Sequence, residues 1–266
     1  MADQRSGGAP ARTAHAAREP DCSPGTATPS TIAPGTVRLR IDADLRFLMP
    51  LRTRAAGQLD MAYDPTATIG HLVQSAGVPL TEVGDLLVSG VPVSGRGRLH
   101  DQDRLDVVVR ARPQPLDGPA HFLLDVHLGA LARRLRLLGV DVAYSNDADD
   151  DELVGQAQRQ DRVLLSQDRG LLKRRTVRRA ALVRGQQPDA QLADVIERFR
   201  PALRPWSLCL TCGGEIAPVA KAEVAGRLPP GTLRTQQRFA QCSACGHVYW
   251  HGAHDPRLRQ VVERYT

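Results

Sequence analysis

Two C-x-x-C pairs, Cys209-Leu-Thr-Cys212 and Cys242-Ser-Ala-Cys245, constrain this chain more than any other feature. The two-residue gap lets both thiolates of a pair reach one ion. The glycine after each pair, Gly213 and Gly246, permits the tight turn of a knuckle. Four thiolates favour tetrahedral zinc, and a closed shell leaves no open position for catalysis. The alternative is two unrelated redox pairs. The remaining cysteine, Cys22, stands alone near the N-terminus. A secreted disulfide scaffold would spread its cysteines differently, so the pattern suggests metal-bound thiolates in a reducing cytoplasm. No apolar stretch approaches the roughly 20 residues that span a bilayer, and no secretory signal is evident.

A chain of 266 residues suits two or three compact units. Residues 1–35 are Ala, Pro, Thr, Ser and Gly without periodicity, the composition of a disordered tail. Residues 36–112 read as a small α+β domain. Thr36-Val-Arg-Leu-Arg-Ile41 alternates like a strand, Gln58 to Tyr63 suits a partner, and Thr68 caps a helix carrying Ile69, Leu72, Val73 and Ala76. Asp85 to Ser89 and Leu105 to Val109 supply further strands. After a Pro-containing linker, residues 119–200 alternate strand and helix, which implies a parallel sheet with right-handed crossovers. Leu128, Leu131, Leu135 and Leu138 form the apolar stripe of the first helix, which Gly139 stops. Residues 203–266 hold both cysteine pairs and read as a zinc ribbon.

Acidic residues fall where the strands of the middle region end. Asp125 closes the first, the run Asp149-Asp150-Asp151-Glu152 follows the second, and Asp168 follows the third. In a parallel sheet those ends share one edge, where ligands usually bind. Carboxylates gathered there suit Mg²⁺ or Mn²⁺, which activate water in phosphodiester cleavage. Taken singly, each acid reads equally as a helix cap or a solvated charge. Seven basic residues and no acids lie between Arg169 and Arg184, and Arg133, Arg134 and Arg136 are placed away from the leucine stripe. The net charge of +6 permits a polyanionic partner, although nearly all of it is arginine, with lysine only at Lys173 and Lys221. In the C-terminal module eight basic residues face four acids, and Tyr249, Trp250, His251 and His254 lie close in sequence. Those two aromatics read first as packing for the ribbon and second as a platform for a single strand.

Three segments carry a resemblance: Phe122-Leu-Leu-Asp125 with the Leu128–Gly139 helix, Asp149-Asp-Asp-Glu-Leu153, and Arg162-Val-Leu-Leu-Ser-Gln-Asp168-Arg169. With Tyr249-Trp-His-Gly-Ala-His254, they resemble the Mut-seven C-terminal RNase domain family. The resemblance implies an α/β PIN-like domain followed by a zinc ribbon. Thr68-Ile-Gly-His-Leu-Val and Gly77-Val-Pro-Leu-Thr-Glu-Val-Gly resemble ubiquitin-like β-grasp domains of the sulfur-carrier type. No free C-terminal Gly-Gly follows, which excludes carrier chemistry and leaves a scaffold or a docking site for a protein partner. For the middle domain the resemblance implies a metal-dependent ribonuclease. Asp125, Asp150 (or Asp149) and Asp168 would be the metal-binding acids, with Arg133, Arg136 and Arg169 on the RNA. Ser166-Gln167 stands where the family suggests Thr-Arg, and Asp194 is the nearest candidate for a fourth acid. The alternative function is a non-catalytic RNA- or ribosome-binding adaptor.

Overall fold

A computed structural model describes residues 35–250 and 255–266. Residues 1–34 with Cys22, and His251 and His254 of the aromatic–histidine signature, lie outside the described residues. Alternation makes β1 (Gly35–Ile41) two-faced: Val37, Leu39 and Ile41 point inward while Arg38 and Arg40 remain exposed. A 3-10 turn (Ala43–Leu48) and α1 (Leu51–Arg54) lead to β2 (Gln58–Tyr63), antiparallel to β1 with Leu39 opposite Leu59. The Thr68 hydroxyl accepts the His71 N–H and starts α2 (Ile69–Ser75), which buries Ile69, Leu72 and Val73. The strands β3 (Val83–Val88) and β4 (Val91–Pro92) form a hairpin whose turn residues, Ser89 and Gly90, both have positive φ. Finally β5 (Arg104–Val109) runs parallel to β1 in the middle of the sheet, giving the order β2-β1-β5-β3-β4 of a β-grasp fold.

The second sheet is wholly parallel. Its elements run β6 (Phe122–Leu124), α3 (Gly129–Leu137), β7 (Val142–Tyr144), α4 (Asp150–Arg159), β8 (Val163–Ser166), α5 (Arg169–Leu172), β9 (Ala180–Leu182) and α6 (Pro188–Phe199). The strand order is β7-β6-β8-β9. Strands covered on both faces lose alternation, which is why β6, β8 and β9 are buried at every position. One face, with Phe122, Leu124 and Leu165, packs against α3 and α6, and the whole predicted leucine stripe is buried there. The other, with Leu123, Leu164 and Leu182, packs against α4 and shares one continuous cluster with the β-grasp core, which includes Leu39, Ile41 and Met49.

A buried ion pair fastens these two sheets. Glu82, just before β3, takes Arg198 Nη1 of α6 at 2.7 Å, with both side chains almost inaccessible. Its other oxygen accepts the Leu182 N–H at 2.8 Å, and Arg198 also donates to Gln114 Oε1 and the Thr81 carbonyl. Every strongly polar atom of the pair thus has a partner, the condition for burying charge.

The third sheet, β10-β11-β12, is antiparallel. It comprises β10 (Ile216–Val219), then α7 (Lys221–Val224) and α8 (Pro230–Thr235), then β11 (Phe239–Cys242) and β12 (Val248–Trp250). Among the described residues, its buried apolar core is Val224, Leu228, Phe239 and Val248. The last helix, α9 (Asp255–Glu263), does not join that core: Val261, Val262 and the following Tyr265 pack on the cluster beneath α3.

Candidate active site and metal centre

Three acids stand at the carboxyl edge of the parallel sheet. Asp125 follows the central strand β6 and is 6% exposed. Ser166, at the end of the neighbouring β8 and fully buried, donates its hydroxyl to Asp125 Oδ2 at 2.5 Å and accepts the Asp168 N–H at 2.8 Å. One hydroxyl therefore ties the first acid to the loop that carries the third. Asp168 Oδ1 accepts the Gly170 N–H at 2.6 Å and caps α5. On the other side of β6, Asp149 is the N-cap of α4 in a reciprocal capping box with Glu152. Asp150 is exposed in the first turn, with Arg174 Nη1 4.0 Å away and held more closely by Asp151 at 2.9 Å. Among the described residues, the cysteines are the group of three or more metal-ligating side chains gathered within 4.8 Å, so these acids are more widely spread.

The arginines separate into two kinds. Arg133 and Arg169 are exposed, and Arg169 Nη1 also donates to the Leu48 carbonyl of the β-grasp unit at 3.2 Å. Arg136 differs from expectation. It is 3% exposed, and its guanidinium donates to the carbonyls of Val142 and Thr211 at 3.0 and 2.7 Å. A side chain so enclosed docks the first cysteine knuckle onto α3 and β7 and does not face a solvent-borne phosphate. Burial lowers its pKa, against the pull of the Cys212 and Cys209 sulfurs. Asp194 is likewise engaged, accepting Arg112 Nη1 at 2.5 Å and the Arg184 N–H at 2.8 Å. Gln167 spends its amide on the carbonyls of Val183 and Gly185. The basic run beyond α5 is turn and loop, and Arg184 donates to Asp44 O and lies over the Phe47 ring.

The four cysteines form the second centre. Cys209 and Cys245 sulfurs are 3.7 Å apart, and those of Cys212 and Cys242 are 3.5 Å apart. A tetrahedron with bonds of about 2.3 Å has edges of about 3.8 Å, so the cluster fits a single tetrahedral ion. Positive φ at Gly213 (82°) and Gly246 (71°) closes both knuckles, whose amides point at sulfur: Gly214 N–H to Cys212 and Cys245 N–H to Cys242. The Tyr249 hydroxyl lies 3.0 Å from Cys209 Sγ and accepts the Leu210 N–H. Burial works against the Cys209 thiolate, yet Tyr249 and the backbone amides of Cys212 and Thr211 outweigh it and bring this thiol down to about 6. Cys212 goes the other way: the Gly214 amide favours its thiolate, but burial and the three neighbouring sulfurs push it up to about 12.

Residues 120–262, more than half of the chain, match the Mut7-C RNAse domain. The chain belongs to the Mut7-C RNAse family. Residues 35–115 match the Mut7-C ubiquitin domain. Among solved structures, the crystal structure of SAMP1 from Haloferax volcanii aligns at a TM-score of 0.23 with 17% identity, covering 32% of this chain and 99% of that one. No curated protein matches. Membership of the Mut7-C family supports a nuclease or RNA-related role. Among the described residues, no helix is long and apolar enough to cross a membrane.

Two features of this Mut7-C chain were invisible as function in the sequence. Ser166 reads there only as a departure from Thr-Arg, although a hydroxyl ending the apolar run Val163-Leu-Leu is itself a signal of a buried polar contact. Tyr249 reads as core packing, and its ring is half-buried, but its hydroxyl contacts the cysteine cluster at Cys209.

Proposed function

We propose that this protein is a metal-dependent ribonuclease whose reaction takes place at the carboxyl edge of the parallel sheet. The observation that carries the reading is the Asp125–Ser166–Asp168 network in a Mut7-C RNAse domain. Mg²⁺ keeps most of its waters and needs only one or two carboxylates. A set of acids wider than a thiolate cage therefore suits Mg²⁺ or Mn²⁺, and Asp125, Asp150 and Asp168 are the residues that would hold it. Such an ion supplies an activated water and offsets charge developing on the scissile phosphate. Ser166 holds the Asp125 carboxylate in one orientation, and the exposed Arg133 and Arg169 hold RNA phosphates. The cysteine cluster takes structural Zn²⁺, which orders a ribbon with too few buried side chains to fold alone, and the ribbon aids RNA binding. Its reduced thiols suit a cytoplasmic setting. The charged outer face of the β-grasp sheet, where Arg38 pairs with Asp60 and Arg40 with Asp106, is the surface left for a protein partner.

The test is cleavage of labelled single-stranded and structured RNAs by wild type, Asp125→Asn and Asp168→Asn, with Mn²⁺, Mg²⁺ or EDTA. Metal-dependent cutting that both substitutions abolish is the expected result. One observation favours the second reading, an RNA- or ribosome-binding adaptor: Asp149 and Asp168 are both used as helix caps. That reading requires RNA binding that ignores divalent metal and survives Asp125→Asn, with no cleavage.

A further inference from the structure

Trp206 occupies a position that local physics assigns to a different residue. Arg204-Pro205-Trp206-Ser207 is a tight turn closed by the Ser207 N–H on the Arg204 carbonyl at 3.3 Å. Proline at the second position and a positive φ at the third, 66° at Trp206, is the arrangement of a type II turn, whose third residue is normally Gly or Asn. A bulky side chain there strains the backbone. The strain is not repaid by a core position, because Trp206 is 44% exposed. The turn is nevertheless firmly held. Arg204 N–H donates to Leu138 O at 2.9 Å and Trp206 N–H to Leu137 O at 3.0 Å, both at the end of α3. Gly139 lies so close to this turn that a Cβ on it would sit 2.0 Å from the Arg204 carbonyl oxygen. The indole is thus exposed, conformationally costly and rigidly mounted, which leaves its face open to a ligand.

The surroundings indicate what it contacts. Between Glu197 and Glu215 the chain has no acidic residue, while Arg200 and Arg204 are exposed. Arg204 and Arg200 also line an open cavity of about 510 Å³ with His121 and Asp141, the latter already bound to Arg162 and His121. An exposed aromatic face near exposed guanidinium groups suits a nucleic acid strand, whose bases stack while its phosphates meet the arginines.

We propose that Trp206 is a stacking platform for an unpaired RNA base, with Arg200 and Arg204 holding the phosphates beside it. This rests on the reading of the protein as RNA-acting. The platform lies at the far end of α3 from the acidic edge, about 14 Å for nine helical residues, so it holds the strand at a distance from the cut.

The experiment uses zinc-loaded full-length protein without added Mg²⁺ or Mn²⁺, so that binding is read apart from cleavage. Labelled single-stranded and duplex oligoribonucleotides are titrated into wild type, Trp206→Gly and Trp206→Phe, and each variant is melted. Trp206→Gly relieves the positive φ, so its melting temperature holds or rises while single-strand affinity falls about tenfold. Trp206→Phe retains part of the affinity, and duplex binding changes in neither variant. In a Trp250→Phe background, single-stranded RNA quenches the remaining indole emission. Unchanged single-strand affinity in Trp206→Gly overturns the platform and leaves the nuclease reading intact. A lowered melting temperature in Trp206→Gly also overturns it, because the indole is then a structural group. Absence of single-strand binding by wild type overturns the platform, and the cleavage assay with Mg²⁺ or Mn²⁺ then decides the RNA-acting reading separately.

Discussion

Deleting the Glu82 carboxylate separates a two-domain protein with a linker from a single cooperative body. In Glu82→Ala the Arg198 guanidinium stays 2% exposed without its anion, and the Leu182 N–H loses its acceptor. Removing one member of a buried pair costs about 3–5 kcal/mol. An orphaned buried donor costs about 1–3 kcal/mol. Both penalties come from one carboxylate and overlap, so the expected loss is about 4 kcal/mol. For a body of this size that is a fall in melting temperature of about 8–16 °C. Glu82→Gln, which retains an acceptor for Leu182, falls less. Glu82→Leu with Arg198→Met recovers part of the loss, because no charge is left stranded although the Leu182 N–H still lacks its acceptor. The assay is denaturant unfolding followed by far-ultraviolet circular dichroism and by tryptophan emission. Both tryptophans, Trp206 and Trp250, follow the parallel-sheet domain in sequence, so their emission does not come from the β-grasp unit that carries Glu82. The shared core requires the two transitions to shift together. A first transition that moves while the tryptophan signal stays put would refute the reasoning, since the β-grasp unit would then unfold alone.

Three further outcomes are expected. A strong chelator should make Cys209, Cys212, Cys242 and Cys245 reactive towards a thiol reagent and unfold the β10–β12 ribbon, with a loss on the order of 10 kcal/mol for that module; unchanged thiol reactivity would show that no metal is held there. Gly139→Ala places a methyl group against the Arg204 carbonyl in a backbone of φ 76°, and should destabilise by at least about 2 kcal/mol in thermal melts. The Asp141 carboxyl resists the upward push of burial because Arg162 and His121 hold it below its ordinary value. A depressed carboxylate stabilises above its unfolded pKa of about 3.9 and loses that contribution as pH falls through the folded value. Asp141→Asn should therefore be less stable than wild type at neutral pH, with the gap closing in acid; a gap independent of pH would reject the ion-pair explanation.

Local patterns in the sequence were enough for most elements. Thr68 and Gly139 mark the start of one helix and the end of another because capping and left-handed geometry depend on the residues themselves. The cysteine centre was legible for the same reason, since a two-residue gap and a following glycine define a knuckle without help from distant chain. The acids at the strand ends were visible as positions, and their placement along one edge follows from the parallel order β7-β6-β8-β9.

What local pattern could not supply were the partners of buried polar groups. Arg136 reads as one more surface cation on a helix, yet it is enclosed against the first knuckle; Glu82 and Arg198 look unrelated across 116 positions, yet they make the buried clasp. The pattern of a strand or helix says which face is apolar, but a polar side chain within a core is determined by which carbonyl or carboxylate arrives from elsewhere. The chain's own residues determined the elements, the knuckles and the acidic edge. Only the folded arrangement determined that the β-grasp sheet and the parallel sheet share one core, that Ser166 joins Asp125 to the Asp168 loop, and that Trp206 stands exposed on a strained turn, because each depends on contacts between segments far apart in sequence.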